Sequence, residues 1–149
     1  MTKKEIIAKL GMVPLAEEGG YVKELFRGKD GSYGTIYYLL DEDSFSCMHS
    51  LKHDEIWYYH EGPSLVLLLV YDDHDEIRYL GKDFSSGEEA QIKVPAGTFM
   101  GALQKERKGW TLVSTSMAPA YDPAEFTPGD FEKLKDRCSH RELLKKLCK

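Results

Sequence analysis

The fold is decided by residues 44–71, which read SFSCMHSLKHDEIWYYHEGPSLVLLLVY. Two short runs of strand-forming residues, 44–51 and 54–60, are joined by a polar turn, and the second run ends at Gly62-Pro63. The apolar stretch 64–71 that follows is typical of a strand buried on both faces. Three short strands joined by tight turns indicate antiparallel β-structure at the centre of the chain.

Similar runs continue on both sides of this centre. They are short, rich in β-branched and aromatic residues, and separated by turn residues such as glycine and aspartate. Regularly spaced strands without intervening helices predict an all-β sandwich or barrel of at least eight strands. The further runs are Tyr21–Phe26, Ser32–Leu40, Glu76–Leu80, Glu89–Val94, Thr98–Gln104 and Trp110–Met117.

Both flanking segments have helical patterns. Thr2 and Glu5 have the spacing of a capping box, which predicts a short helix within the first ten residues. Residues 129–149 are also predicted to be helical, with Ser139 and Glu142 at capping-box spacing. We therefore expect one domain over residues 1–149, with a β-core at about 21–118 and a helical tail at about 129–149 packed outside it.

Composition narrows the class of protein. The chain has 149 residues and a net charge of −5, which argues against nonspecific nucleic-acid binding. Its longest apolar run is too short for a membrane span, and the N-terminus lacks the apolar stretch of a signal peptide. The three cysteines form no CxxC pair, so a cytoplasmic protein without a disulfide framework is expected.

Two polar residues in the central stretch are candidates for acid–base chemistry. His49 and Glu55 lie on successive strands, and a hairpin can bring an imidazole and a carboxylate together in a half-apolar pocket. Burial raises the pKa of a carboxyl group, and a nearby carboxylate raises that of a histidine. The structural alternatives are that His49 is a hydrogen-bonded interior histidine, and that Glu55 forms a salt bridge to Lys52 or Arg27.

Several motifs, taken in order, resemble the fifth cupin family, which consists of small cupins. Glu55 followed by Gly62 matches the end of the first cupin motif, and Pro95-Ala96-Gly97 matches the core of the second. The resemblance runs from near the N-terminus to about residue 126. The other matching stretches are Glu18-Gly19-Gly20-Tyr21 with Glu24 and Arg27, His49 with Asp54 to Trp57, Gly109 to Val113, and Ala118-Pro119.

The resemblance implies a jelly-roll-like cupin barrel, commonly dimeric, with a pocket related to that of deoxysugar-nucleotide epimerases. Metal-dependent cupins are similar in using two histidines and a glutamate from the first motif and a third histidine from the second. Here His49 and Glu55 occupy two of these positions, but Leu51 and Met100 stand at the other two. Because metal sites normally use three or four protein ligands, no metal and no other cofactor are expected. His53 or His60 would have to replace the missing ligands in an atypical metal site.

The ligand-binding candidates are mainly aromatic. Aromatic residues on strands are suited to stacking on a base or a sugar ring, although core packing produces the same alternation. Arg27 shares its strand face with Tyr21 and is a candidate partner for a phosphate or carboxylate. The aromatic candidates are Trp57, Tyr59, Tyr37, Tyr38 and Tyr21.

These observations predict a metal-independent cupin that binds a small polar metabolite of the nucleotide or sugar-nucleotide type. As an enzyme it would be an epimerase or isomerase, with His49 moving a proton next to a carbonyl, Glu55 sharing that proton, and a tyrosine as the acid. The alternatives are a non-catalytic binding or sensing module and a metal-dependent oxygenase or isomerase. A homodimer is expected, because pairing would cover exposed sheet edges.

Overall fold

A computed structural model describes all 149 residues and contains two antiparallel sheets flanked by helices. The helices are α1 (Lys3–Leu10), α2 (Phe131–Leu134) and α3 (Arg141–Leu147), with short 3-10 helices at Lys29–Gly31, Phe84–Ser86, Pro123–Glu125 and Lys135–Arg137. The strands are β1 (Val13–Pro14), β2 (Tyr21–Arg27), β3 (Gly34–Asp41), β4 (Ser46–Ser50), β5 (Glu55–Glu61), β6 (Leu65–Val70), β7 (Asp75–Leu80), β8 (Gln91–Val94), β9 (Phe99–Gln104), β10 (Trp110–Met117) and β11 (Thr127–Pro128).

The two sheets contain six and five strands. The larger sheet has the order β1-β2-β3-β10-β5-β8, and the smaller one has the order β11-β4-β9-β6-β7. All the predicted strands are present, and the two-residue strands β1 and β11 are additions that lie in proline-containing segments. The predicted all-β fold with a short N-terminal helix and C-terminal helices is therefore confirmed.

The central strand β6 shows how the layers are arranged. Leu65, Leu67 and Leu69 pack in the core between the two sheets, whereas Leu68 and Val70 pack beneath the C-terminal helices. Because side chains alternate across a strand, an unbroken apolar run is needed where both faces are covered. The prediction that this strand is buried on both faces is confirmed.

The two helical segments begin differently. Thr2 and Glu5 form the predicted capping box at the start of α1, which covers the outer face of the larger sheet. The second predicted capping box is wrong, because His140 and not Ser139 is the N-cap of α3. The Ser139 hydroxyl instead donates to Asp75 Oδ1 at 2.8 Å and ties the tail to β7.

No helix of the chain is both long enough and apolar enough to span a membrane.

Candidate functional site

A cavity of about 350 Å³ opens at one end of the sandwich. Its wall combines apolar and aromatic side chains with several carboxylates. A volume of this size, with a few polar groups on an apolar wall, is typical of a small-molecule site. The residues around it are Leu15, Glu17, Glu18, Val22, Glu24, Leu25, Phe26, Arg27, Gly34, Thr35, Ile36, Tyr38, Leu51, Glu55, Trp57, Thr115, Met117, Tyr121 and Phe126.

A β-bulge in β2 helps to shape this wall. The pairing of β2 with β3 shifts between Glu24 and Phe26. A bulge adds one residue to one strand and so reverses the alternation of side chains beyond it. Arg27 therefore lines the cavity together with Glu24, although the two residues are three apart and would face opposite sides of a regular strand.

Glu55 is a buried carboxyl group on the cavity wall. Its side chain lies at the start of β5, is only 9% exposed, and accepts a hydrogen bond from Trp57 Nε1 at 2.9 Å. Burial is the main cause that raises its pKa to about 7, and the nearby Glu18 carboxylate adds to this effect. His49, Trp57 and Thr115 act in the opposite direction. Near neutral pH this group can therefore either take or give a proton.

His49 lies behind this wall and is fully buried. Its Nδ1 is 2.7 Å from the carbonyl oxygen of Cys47, and because a carbonyl only accepts, Nδ1 carries the proton. Its ring stacks on Phe126, with centroids 5.1 Å apart. Nε2 lies 3.2 Å from Glu18 Oε1, which is within ion-pair distance but outside hydrogen-bond geometry.

A small void of about 10 Å³ separates His49 from Glu55. Leu51, Thr98 and Met100 complete much of its wall. This volume is close to the minimum that one water molecule needs. His49 therefore borders the small void and not the large cavity.

The segment after β10 closes one side of the site. Tyr121 and Phe126 line the large cavity, and the 3-10 helix between them carries Glu125. The buried Glu125 carboxylate has its Oε1 3.6 Å from His53 Nδ1, which joins this segment to the turn before β5. Burial, together with Glu18 and other nearby carboxylates, raises the pKa of Tyr121. Its hydroxyl therefore stays protonated near neutral pH.

The structure brings together some of the predicted ligand-binding residues. Tyr38, Trp57 and Arg27 line the cavity, and the rings of Tyr38 and Trp57 meet edge to face with centroids 5.7 Å apart. The Tyr38 hydroxyl donates to the carbonyl of Gly19, and burial raises its pKa well above the ordinary value. Glu55 makes no ion pair with Lys52 or Arg27, so the structural salt bridge considered for this residue is not formed.

Three predicted residues lie outside the cavity and are removed from the candidate set. Tyr21 and Tyr37 face the outer side of the larger sheet, where they pack under α1. Tyr37 alternates with the inward-facing Tyr38 on β3, and Tyr21 on β2 pairs with the outward-facing Leu39. Tyr59 packs against the same core as Trp57, but it lies farther along β5, and its hydroxyl donates to the carbonyl of Gly62 at 2.7 Å.

Sequence reasoning missed three residues that contribute to the site. Glu18 was part of a quoted motif but had no assigned role, and it is the residue that links His49 to the cavity. Tyr121 and Phe126 lie in a segment interrupted by Pro119, Pro123 and Pro128, where no strand pattern indicates a face. Only the tertiary fold places this segment beside β4, where β11 pairs with Ser50 and His49.

The chain matches the family described as the Cupin superfamily (DUF985) over residues 4–128. It belongs to this family. The match covers both cupin motifs and the cavity residues up to Phe126, so in this cupin the candidate site lies within the matched region.

Solved structures share the fold of this cupin over nearly its whole length. A Shewanella oneidensis protein is 26% identical, covers 100% of this chain and 98% of its own, and has a TM-score of 0.91. A hypothetical protein from Leishmania major is 27% identical, with 99% of each chain covered and a TM-score of 0.86. A cupin 2 conserved barrel domain protein from Rhodopseudomonas palustris shares the fold alone, at 15% identity, 93% and 90% coverage and a TM-score of 0.64. A comparison with curated proteins finds no match.

The residues of this cupin do not fit the metal centre of metal-dependent cupins. Leu51 and Met100 border the same small void as His49 and Glu55, so apolar side chains stand where that site has imidazoles. No group of three or more histidine, cysteine, aspartate or glutamate residues is arranged to hold a metal ion. His53 borders the same void, but its Nδ1 lies 3.6 Å from Oε1 of the buried Glu125. His60 lies elsewhere, because its Nε2 pairs with Ser114 on the outer side of the larger sheet.

Proposed function

We propose that this cupin binds a small molecule in the 350 Å³ cavity and moves a proton at a carbon next to a carbonyl group, as an isomerase or epimerase does. The observation that carries the proposal is Glu55, a nine-tenths buried carboxyl group on the cavity wall with a pKa of about 7. Strongly perturbed carboxyl groups in clefts are frequent acid–base catalysts, because their proton affinity suits neutral pH.

In this proposal Glu55 is the base. Ionised Glu55 takes the proton from the carbon, and the negative charge moves onto the carbonyl oxygen of the ligand. Tyr121 then donates its hydroxyl proton to the opposite face of that carbon, so a C–H bond forms again and the carbonyl is restored. Its hydroxyl lies on the same cavity, and its raised pKa keeps it protonated until this step. The predicted roles change accordingly, since Glu55 and not His49 reaches the ligand.

His49 is a positioning residue in this arrangement. It lies between Cys47 and Glu18, and its charge lowers the pKa of Glu55 against the effects of burial and of Glu18. Removing the imidazole would therefore move the pH at which Glu55 ionises. That effect distinguishes a positioning role from a merely structural one.

The test begins with the ligand. Native mass spectrometry of the untagged protein, followed by release of bound compounds, identifies candidates, which are then incubated with the protein in D₂O. We expect deuterium to appear at one carbon, with a rate that rises with pH through about 7 as Glu55 ionises.

Matched variants assign the roles. Glu55→Gln and Tyr121→Phe are expected to lose exchange by about a hundredfold or more while still binding the ligand. Two control variants should keep the wild-type rate of deuterium exchange. They are Glu61→Gln, at the exposed end of the same strand, and Tyr59→Phe, outside the cavity. Saturable binding without exchange would show a non-catalytic binding module instead.

We also propose that two copies form a homodimer through β2. The short β1 pairs with β2 only at Tyr21 and Val22, so residues 23–27 form an open strand edge. Phe26 is 66% exposed at this edge, and an antiparallel edge is complementary to a second copy of itself. Sedimentation should show a dimer that Phe26→Lys dissociates, whereas a monomeric parent protein would refute the proposal.

A further inference from the structure

The cavity wall carries an excess of negative charge. Glu17, Glu18, Glu24 and Glu55 supply four carboxyl groups, and Arg27 is the only lysine or arginine on the wall. With all five groups ionised the formal charge of the wall is −3, and it is −2 when Glu55 is protonated. The wall therefore stays negative in either protonation state of Glu55.

The nearby arginine and lysine side chains do not neutralise this wall. Arg27 makes no ion pair, and its Nη1 lies 3.5 Å from the backbone carbonyl oxygen of Tyr121. Lys149 donates to the carbonyls of Ala16 and Glu17 at 2.8 and 3.2 Å, and it does not line the cavity. No lysine or arginine therefore makes an ion pair with the carboxylates of the wall.

A single imidazole lies behind the wall beside Glu18. His49 is fully buried, and its Nε2 has no hydrogen-bond partner although it lies 3.2 Å from Glu18. Glu18 and Glu55 are close enough for Glu18 to raise the pKa of Glu55. Two carboxyl groups held together in a part-apolar site repel each other, and one imidazole balances the charge of only one of them.

Aromatic rings complete the surroundings of these carboxylates. Tyr121 is exposed at the mouth, and Trp57 and Phe126 form part of the wall. Aromatic faces attract ammonium and guanidinium groups, and aromatic surfaces together with carboxylates are the usual means by which proteins hold organic cations.

We infer that the cavity takes a small organic cation, with an ammonium or amidinium-type group beside Glu18 and a partly apolar body against the aromatic wall. This inference rests on the proposed function, because it names the class of ligand for the same cavity. It replaces the expected nucleotide or sugar-nucleotide ligand, since a diphosphate would add two or more negative charges to a wall that is already negative.

The experiment compares probes of similar shape and different charge. Benzylamine, benzyl alcohol, benzoate and uridine diphosphate are titrated into ¹⁵N-labelled protein, and the indole N–H signal of Trp57 is followed by NMR. Trp110 is an internal control, because its indole donates to the carbonyl of Met1, away from the cavity. Benzylamine should bind saturably and about tenfold or more tightly than benzyl alcohol, and neither anion should saturate.

The variants identify the source of this preference. Glu18→Gln should reduce the preference for benzylamine over benzyl alcohol by about tenfold, whereas Glu61→Gln should leave it unchanged. Tighter binding of benzoate or uridine diphosphate, an unchanged preference in Glu18→Gln, or no saturation by benzylamine would overturn the inference. If the protein binds the amine but the natural ligand shows no deuterium exchange, only the proposed proton transfer is refuted. If exchange occurs on an anionic natural ligand, only the inferred preference for a cation is refuted.

Discussion

Replacing Glu55 by glutamine should stabilise this protein at alkaline pH. The folded protein holds the pKa of Glu55 at about 7, whereas its ordinary value is 4.5. Glutamine keeps the shape of the side chain and an oxygen that can accept from Trp57, but it cannot ionise. The substitution therefore removes the cost of burying a negative charge and little else.

The sign and size follow from linkage. Because the pKa is raised on folding, the unfolded chain loses this proton first, and the stability of the wild type falls as pH rises from about 4.5 to about 7. Each unit of difference between the two pKa values corresponds to about 1.4 kcal/mol. Above about pH 7, ionisation of Glu55 therefore lowers the free energy of unfolding by about 3 kcal/mol. Between about pH 5 and about pH 8 the advantage of Glu55→Gln should grow by about 2 to 3 kcal/mol.

Urea unfolding at the two pH values measures this difference directly. Each unfolding free energy is extrapolated to water, and the wild type is subtracted from the variant at the same pH. Glu61→Gln on the exposed end of β5 is the control and should show no such growth. If the advantage of Glu55→Gln is equal at both pH values, Glu55 titrates normally and the base assigned here is wrong.

Three further substitutions test the fold around the site. Leu69→Ala removes a fully buried side chain between the sheets and should lower the free energy of unfolding by about 2 to 5 kcal/mol in urea, and a loss below about 1 kcal/mol would contradict the packing described. Gly19→Ala places a Cβ 2.0 Å from the carbonyl oxygen of Phe45 at a φ of +103°, so it should lower the melting temperature by several degrees and weaken ligand binding; unchanged binding would show that this loop does not shape the site. Asp75→Ala removes the acceptor for His140 and should cost about 1 to 3 kcal/mol at neutral pH. Because its surroundings lower the pKa of Asp75, that loss should shrink in acid, and a loss independent of pH would argue against the ionised carboxylate.

The sequence predicts where the strands lie more completely than it predicts on which face of a sheet each side chain lies. Alternation and turn residues were sufficient to locate the nine longer strands, because each run carries its own local pattern. Faces depend on what covers each side of a sheet, which is a tertiary property. Tyr37 and Tyr38 are adjacent and chemically alike, yet one packs under α1 and the other lines the cavity.

The arrangement of His49 and Glu55 was predictable from the sequence only in part. The hairpin spacing brought His49 and Glu55 to neighbouring positions around one small void. Their unequal access to the large cavity was not predictable, because it depends on Glu18 and Phe126, which lie far away in the sequence. Polar residues in loops carry no periodic signal that would reveal such contacts.

The contacts of the Glu17–Glu18 loop also bear on how the protein folds. This loop accepts hydrogen bonds from the backbone N–H of Cys47 and from the side chain of Lys149, so it joins segments up to 132 residues apart. Contacts between distant segments form late, because closing long loops costs entropy before it is repaid. We expect the sandwich core to gain protection from hydrogen exchange before the cavity does, so ligand binding would report the last step of folding and not the first.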